Sequence, residues 1–564
     1  MSIIFALRAR AVVVVFFLFA LIFVTLAIYG AFRNYSPIPF WDMWDGYLGF
    51  YDKISSGDWF AWWSQHNEHR IVLSRILFWL DIRFFHGLGW FLILANYILL
   101  TCIIIIFIKI LLEFRSNIPV WVPLFLIVWQ VFWIQKNNLT WGFQSQFFLA
   151  DLLPLITFYY IQKATKSSSL LDKNFIFSLC AGFLAIGSMA NGILVLPLLT
   201  VYLLIVRMGY KRILITSTLA LISIFLYFND YHSPDQHGSI IHVIKSDPIQ
   251  LLEYTLIYIG GPFGWIFGNG RETSKVVAIC MGIFLLSSSL FFLYQYFKVP
   301  IKNRDLLKLS LLFYVVFIVG SAFGTAGGRL IFGLNTALSS RYMTPSLLAW
   351  VALFILYLRR GTDRSWVDLR FVWIPFFCLM ILMLPQQINA IESNEDALYE
   401  REVAALALTL GVKDKAQVAN IFPSVNWALD ISKGPRERKI SIFGIPPLVN
   451  DKEKLGQQVD AINIHVQPCL GHLDVLTNIP DESKFYSIYG WLYYPGRENF
   501  SRKITIVNQL GQIIGYALLG YKRPDVAKAV NFKAINSGFK GYLLYEKKTS
   551  MLYLVNHSKI CYLN

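Results

Sequence analysis

Charged side chains are scarce in this chain. Only 15% of its 564 residues are Asp, Glu, Lys or Arg, against roughly 25% in an average soluble domain. A P-loop, a Gly-x-Gly-x-x-Gly fingerprint, a Gly-x-Ser-x-Gly nucleophile elbow and a Cys/His nucleophile pattern are all missing. Those gaps leave ATP-driven transport and chemistry on soluble nucleotide sugars without support. Cysteine is sparse as well, with six residues and no CxxC or zinc-type spacing. Cys102, Cys180, Cys280 and Cys378 lie in apolar segments and read as small hydrophobes. Cys469 and Cys561 fall in the polar tail and can pair if that tail meets an oxidising compartment. There is no fixed-period repeat and no low-complexity tract.

What is abundant is apolar surface. Hydrophobic residues make up 56% and aromatics 16%, and mean hydropathy is +0.53. Runs such as 11–32 and 89–112 exceed the ~20 apolar residues that cross a bilayer. The expected class is an α-helical polytopic membrane protein, with the lipid bilayer as its surroundings. The first run follows Arg8 and Arg10; it is too long for a signal-peptide core and no A-x-A-like cleavage site follows it. It reads as a retained helix. A net charge of +16 would suggest nucleic acid in a soluble domain. Here the basic residues cluster in short loops, as on the cytoplasmic side of membrane proteins, and no nucleic-acid partner is expected.

The remaining apolar segments fall near 118–134, 145–162, 174–189, 192–207, 211–228, 275–297, 306–325, 342–358 and 369–389. For the basic loops to share one side, the stretch 251–268 must not cross. Its Gly260-Gly261-Pro262 break suits a re-entrant or interfacial piece. About eleven spans remain. The loop 33–87 then opens onto the outer face together with "NNLTWGFQSQ", "SMANG", "YHSPDQHGS" and "GGRLIFGLNTALSSRYMTP". The expected domains are a membrane domain over 1–389, a helical or irregular connector over 390–464, and a small all-β, sandwich-like domain over 465–564. The last rests on β-rich runs broken by "PGREN", "LGQ" and "NSGFKG".

Four polar groups on that outer face invite chemistry. Asp42 and Asp45 sit beside Trp41 and Trp44, where a partly desolvated carboxylate suits a general base; an interfacial aromatic belt accounts for the same residues. If the segment is α-helical, the i, i+3 spacing puts both acids on one face. His66, Glu68 and His69 lack the HExxH order of a zinc protease. They can hold a sugar, a phosphate or a divalent cation, or form a polar turn before a helix over 71–84. Trp141, Gln144 and Gln146 combine an aromatic face with amides, as sugar subsites do; helix-end packing is the alternative. The "NLT" at 138–140 matches a glycosylation sequon. Arg329 and Arg341 run against the charge rule for an outer face. Arginine chelates phosphate oxygens bidentately, so a lipid-linked phosphate is one partner; lipid headgroups or an acid such as Asp42 are others.

A long first helix followed by a large outer loop with "WDMWDGY" resembles the GT-C fold of integral membrane glycosyltransferases. "HNEHRI", "NLTWGFQSQF", "SMANGILVLP" and "SRYMTPS" are similar to bacterial members of that class, over roughly residues 1–390. The resemblance implies a polyprenyl-phosphate sugar as donor, a cell-envelope glycan or lipid as acceptor, and the periplasmic face of a bacterial inner membrane as the place. It implies a general base at Asp45 or Asp42, with Glu68 as a further catalytic group. Arg329, Arg341 and Tyr342 would hold the donor phosphate, and His66, His69, Arg70, Trp141, Gln144, Gln146 and Asn191 would line the sugar or acceptor. No dedicated metal site is implied. Better-known members carry adjacent Asp-Glu, whereas Met43-Trp44 separates the two aspartates here. A flippase or exporter of a lipid-linked glycan, or a glycan polymerase or ligase, remain the other classes.

Overall fold

The computed structural model describes residues 2–114, 118–166, 169–234, 238–268, 272–360, 372–459, 465–466, 469–494, 502–544, 552–556 and 559–563. In chain order the principal helices are α1 Ser2–Arg33, α2 Phe50–Ser55, α3 Val72–Phe84, α4 Trp90–Phe114, α5 Trp121–Gln130, α6 Lys136–Thr140 and α7 Ser145–Ile161. They continue as α8 Lys173–Leu184, α9 Val195–Val206, α10 Tyr210–Phe228, α11 Ile240–Ser246, α12 Pro248–Ile266, α13 Glu272–Lys298, α14 Leu306–Arg329, α15 Met343–Arg360, α16 Trp373–Ile388 and α17 Glu395–Leu410. The chain divides into two compact units. The first is Met1–Tyr35, Trp62–Leu77 and Phe91–Ser393; the second is Ser36–Ala61, Phe78–Trp90 and Asn394–Asn564. The first outer loop is therefore shared between them, rather than belonging whole to a membrane domain that ends at 389.

Among the described residues, seven helical runs are long and apolar enough to cross a membrane, judged by length and composition. They are Arg10–Arg33, Trp90–Glu113, Tyr210–Phe228, Glu272–Lys298, Leu306–Phe332, Ser340–Arg359 and a run within Trp373–Leu410. The expected spans 118–134, 145–162, 174–189 and 192–207 instead form the shorter helices α5, α7, α8 and α9. In the first of those runs polar residues lie where the helix ends. Gln130 and Gln135 bracket the end of α5, where Gln135 Nε2 donates to Gln130 O at 2.6 Å, and α5 is left with ten residues, about 15 Å.

The Gly260-Gly261-Pro262 stretch does not break α12, contrary to expectation. Pro262 has no N–H for the Tyr258 carbonyl one turn back, and Ser346 Oγ on α15 donates to that carbonyl at 2.6 Å. Trp350 Nε1 donates to the next carbonyl, Ile259 O, at 2.8 Å. The glycines serve close packing instead: a Cβ at Gly260 would overlap Ala278 O on α13, and one at Gly264 would stand 2.7 Å from Ser274 O.

Within the first unit, polar contacts gather the helix ends into two groups. At one end, Lys163 pairs with Glu113 at 2.6 Å, Arg212 donates to Ala164 O and Ser169 O, and Arg359 pairs with Asp305. These are ends of α4, α7, α10, α14 and α15 that carry the basic clusters. At the other end, Arg329 bonds Glu68, Tyr227 bonds Glu68 O, Asn138 bonds Arg341 O, and the Ala190 amide bonds His69. The segments in direct contact are the ends of α4 and α7 with the start of α10, the start of α14 with the end of α15, and the 66–69 turn with the ends of α10 and α14. The cytoplasmic clusters expected at 115–117, 167–168 and 361–371 lie outside the described residues, as does 235–237 of "YHSPDQHGS".

The second unit is built on one eight-stranded sheet, β1 His465–Val466, β2 Leu470–Asn478, β3 Phe485–Tyr493, β4 Lys503–Val507, β5 Ile513–Tyr521, β6 Gly538–Leu544, β7 Leu552–Asn556 and β8 Lys559–Leu563. Its order is β1-β8-β7-β4-β5-β6-β3-β2, antiparallel except for β1 against β8. A sandwich of two facing sheets is therefore not what forms. The face that a second sheet would cover is taken by α17, from the expected connector: Tyr399 Oη donates to Leu518 O at 2.6 Å, while Glu402 and Glu400 pair with Arg502 and Lys540. Ile488, Ile504, Ile506, Ile514 and Phe539 fill a core of their own. Cys469 is disulfide-bonded, and Cys102, Cys180, Cys280 and Cys378 are free; the side chain of Cys561 lies outside the described residues. The "RPDV" stretch starts a short helix with Pro524 in its first turn, and Arg523 joins it to β2 through Asp525 and Asp474.

The α12–α13 seam has a direct stability consequence. Gly260→Ala and Gly282→Ala force overpacking worth about 1–3 kcal/mol, expected as a lower unfolding temperature in detergent. Gly324→Ala, where a Cβ meets nothing within 4 Å, leaves it unchanged or slightly raised. Equal behaviour of all three would remove the close-packing account.

Candidate functional site

The candidate site in the first unit begins with a tight turn. His66 and His69 pair backbone to backbone, His66 N to His69 O at 2.8 Å and His69 N to His66 O at 2.9 Å. Asn67 occupies the left-handed region at φ 49°, which asparagine tolerates better than most residues. The turn projects Glu68, whose Oε1 accepts from Arg329 Nη2 at 2.7 Å, and whose main-chain oxygen accepts from Tyr227 Oη at 2.6 Å. His69 Nε2 lies 3.6 Å from Glu68 Oε1. Its other nitrogen, Nδ1, accepts from the Ala190 amide at 3.2 Å.

That amide decides the tautomer. An accepting Nδ1 leaves the proton on Nε2, facing Glu68. Burial pushes the His69 pKa down to about 4, with Glu68 opposing and Arg329 and Arg341 adding to the fall. The ring is neutral near pH 7. Two guanidiniums, one carboxylate and a neutral imidazole leave this group with a surplus positive charge.

Arg70 serves the turn itself. It is 1% exposed and donates to Tyr227 O, Trp63 O and Asn229 O, so three of its five N–H donors hold the main chain. Arg341 differs. Among the described residues its side chain forms no ion pair, and its buried Nε has no hydrogen-bond partner. The guanidinium stands 5.3 Å from the Tyr342 ring, which itself stacks on Tyr258 at 5.1 Å. Asn138 holds the segment by donating to Arg341 O at 2.8 Å and Thr344 Oγ1 at 2.7 Å. The sequon asparagine is thus a buried structural group, not a glycosylation acceptor.

The sugar-type residues lie around this turn. His66 packs on Phe143 at 5.2 Å, and Trp141 stacks on Phe143 at 5.9 Å. Gln144 and Gln146 are buried, and the Oε1 of each has no partner among the described residues. Asn191 Nδ2 donates to Ser321 Oγ at 3.1 Å, while its Oδ1 likewise has none. Buried oxygens without donors are costly, and donor hydroxyls would satisfy them.

Asp42 and Asp45 belong to the second unit, unlike Glu68, Arg329 and Arg341. Their segment is a 3-10 turn, Trp41–Met43, followed by a π-helical turn, Trp44–Gly49. The pitch changes between the two acids, so the one-face argument from α-helical spacing does not apply. Trp44 is wholly buried against Phe443, 6.5 Å between rings, whereas Trp41 is 47% exposed. Both carboxylates are half-buried.

No family model, no curated protein and no solved structure matches this chain. The chemistry therefore rests on the residues. Among the described residues, no group of three or more His, Cys, Asp or Glu is placed to hold a metal ion. What the first unit offers is an anion-seeking guanidinium beside a compensated ion pair, next to aromatic faces and amide oxygens. Tyr227 and Tyr254 were not legible as site residues; both sit in apolar runs where tyrosine reads as packing. Tyr254 Oη meets Thr336 Oγ1 at 3.2 Å, fixing the loop between Arg329 and Arg341.

The His69 tautomer is directly measurable. In protein labelled with nitrogen-15 histidine, His69 should show protonated Nε2 and bare Nδ1, with no titration from about pH 5 to 8. A midpoint near the ordinary 6.5 would rule out the buried, amide-bonded ring.

Proposed function

We propose that the chain is a membrane glycosyltransferase that moves a sugar from a polyprenyl-phosphate donor to a cell-envelope glycan or lipid acceptor. The observation that carries the reading is Arg341, a cation without an ion-pair partner among the described residues, beside the Arg329–Glu68 pair at one end of the helices. A half-buried guanidinium with spare donors suits a phosphate, which it binds bidentately. A phosphate carried on a lipid reaches such a site from the bilayer. Basic residues at the opposite end, read by the positive-inside rule, support the proposed location of the site on the periplasmic face of a bacterial inner membrane.

In the proposed reaction Asp45, or Asp42 in its place, takes the proton from an acceptor hydroxyl. The hydroxyl oxygen attacks the anomeric carbon, the carbon–oxygen bond to phosphate breaks, and the lipid phosphate leaves with the electron pair. The configuration inverts. Arg341, Arg329 and Tyr342 stabilise the charge that develops on the leaving phosphate. Glu68, held ionised by Arg329, orients that arginine. Trp141, Gln144, Gln146, His66 and Asn191 bind hydroxyls and C–H faces of the sugar. The donor brings its own leaving group, so no soluble nucleotide is required.

A carrier of a lipid-linked glycan is favoured by one observation. Asp151 is 2% exposed within α7, and its Oδ2 has no partner among the described residues; such intramembrane carboxylates mark transport pathways. Surface glycans read by mass spectrometry separate the two, in a strain deleted for the chain and complemented with variants. Transfer predicts loss of one sugar mass in the deletion and its return with wild type. Asp42→Asn/Asp45→Asn should restore nothing, and Arg341→Ala should transfer about 10–100-fold less, the worth of a charged hydrogen bond. If the double aspartate variant restores the sugar in full while Asp151→Asn abolishes it, the carrier reading replaces transfer.

A further inference from the structure

Asp81 lies in the second unit, near the end of α3, and is 0% exposed. Burying a carboxylate is expensive, and nothing in the helix requires one there. Its Oδ2 accepts from Tyr47 Oη at 2.5 Å and from the Gly89 amide at 3.1 Å. Tyr47 is itself fully buried and meets Phe78 edge-on at 5.5 Å. It is the fourth residue of the π-helical turn Trp44–Gly49, two residues after Asp45.

A π-helical turn is intrinsically weak and recurs at functional sites. This one is held by Trp44 on one side and by the Tyr47 hydroxyl on the other. A 2.5 Å O–H···O contact matches a phenol donating to an ionised carboxylate, about twice as strong as a neutral bond. Phe at 47 with Leu at 81 would pack equally well at less cost. The directional bond is what the polar pair adds.

We propose that Asp81 is a positioning residue, which through Tyr47 fixes the turn that presents Asp45. The inference rests on the proposed transfer reaction with Asp45 as its base. Among the described residues, Tyr47 is the titratable side chain in contact with Asp81. Ser441, on the third packed segment, approaches through the Gly87 turn and is uncharged, and Arg83 and His86 on the flanking helix and turn are exposed. Burial raises the Asp81 pKa to about 6, opposed by the Tyr47 and Gly89 bonds. The carboxylate is ionised above that pH and clamps Tyr47 fully; below it, the neutral acid accepts more weakly. For stability the sign is opposite. A carboxyl with a raised folded pKa binds its proton better when folded, so its contribution falls as pH rises from about 4 to 6.

The test uses membranes from the deletion strain carrying the full chain as wild type, Tyr47→Phe, Asp81→Asn or Asp45→Asn at matched levels. New glycan is followed by mass spectrometry from pH 5 to 8, with native donor and acceptor in the membranes. Asp45→Asn should abolish transfer. Tyr47→Phe and Asp81→Asn should be about 10-fold slower above pH 6, with flat pH profiles, while the wild-type rate falls toward theirs below pH 6. A merely structural pair would lower the amount of folded protein without removing that pH limb. If Asp81→Asn does not accumulate, Tyr47→Phe carries the test alone. Wild-type rates in Tyr47→Phe, or slowed variants that keep the wild-type profile, overturn the proposal. Full transfer by Asp45→Asn overturns the base assignment instead.

Discussion

An ion pair between Glu68 and Arg329, 261 positions apart in the chain, fixes the polar end of the first unit. The pair is partly buried, with side chains about a fifth exposed on each partner, so removing either residue strands the other charge. Around it the turn's main-chain groups are accounted for one by one. Tyr227 takes the Glu68 carbonyl, Arg70 takes the carbonyls of Tyr227, Trp63 and Asn229, and the Ala190 amide takes the His69 ring. The partners come from the end of α10, the end of α14 and the segment before α9, so the pair and its surroundings tie these three together. Arg341, placed nearby through Asn138, is then an arginine without an acid of its own among the described residues.

The parts of the fold that were legible in the sequence are those governed by local composition. Long apolar runs make long helices, and loop charge sorts the helix ends into two groups without any knowledge of packing. Features decided by distant partners were not legible. Pro262 looks like a helix breaker until Ser346, 88 positions from Tyr258, supplies the donor that the Tyr258 carbonyl lacks. The short helix α5 hides in an apolar run whose glutamines at 130 and 135 bond each other where the helix ends. The first outer loop looked continuous; its division follows from contacts such as the Trp41 amide on Ile421 O at 2.8 Å and Trp44 on Phe443, neither of which has a local signature. Glu68, Arg329 and Arg341 were legible as residues out of keeping with their surroundings. Their supporting tyrosines were not, because a phenol in an apolar run shows its role only through the carbonyl or hydroxyl it meets.

The buried acids of the two units show two solutions to one problem. Glu68 keeps its charge because Arg329 is beside it, whereas Asp81 has a phenol and an amide and no cation, so burial raises its pKa to about 6. That difference bears on which carboxylate can act as a base. A base must give up its charge during the reaction, and for Glu68 this would break the ion pair and leave Arg329 uncompensated. Its pairing suits a counter-ion that keeps an arginine extended. Asp81 is sealed from any acceptor by Tyr47. Asp42 and Asp45 differ from both, half-buried on a turn of changing helical pitch. The two protected acids thus hold geometry, one by pairing with an arginine and the other by holding a phenol.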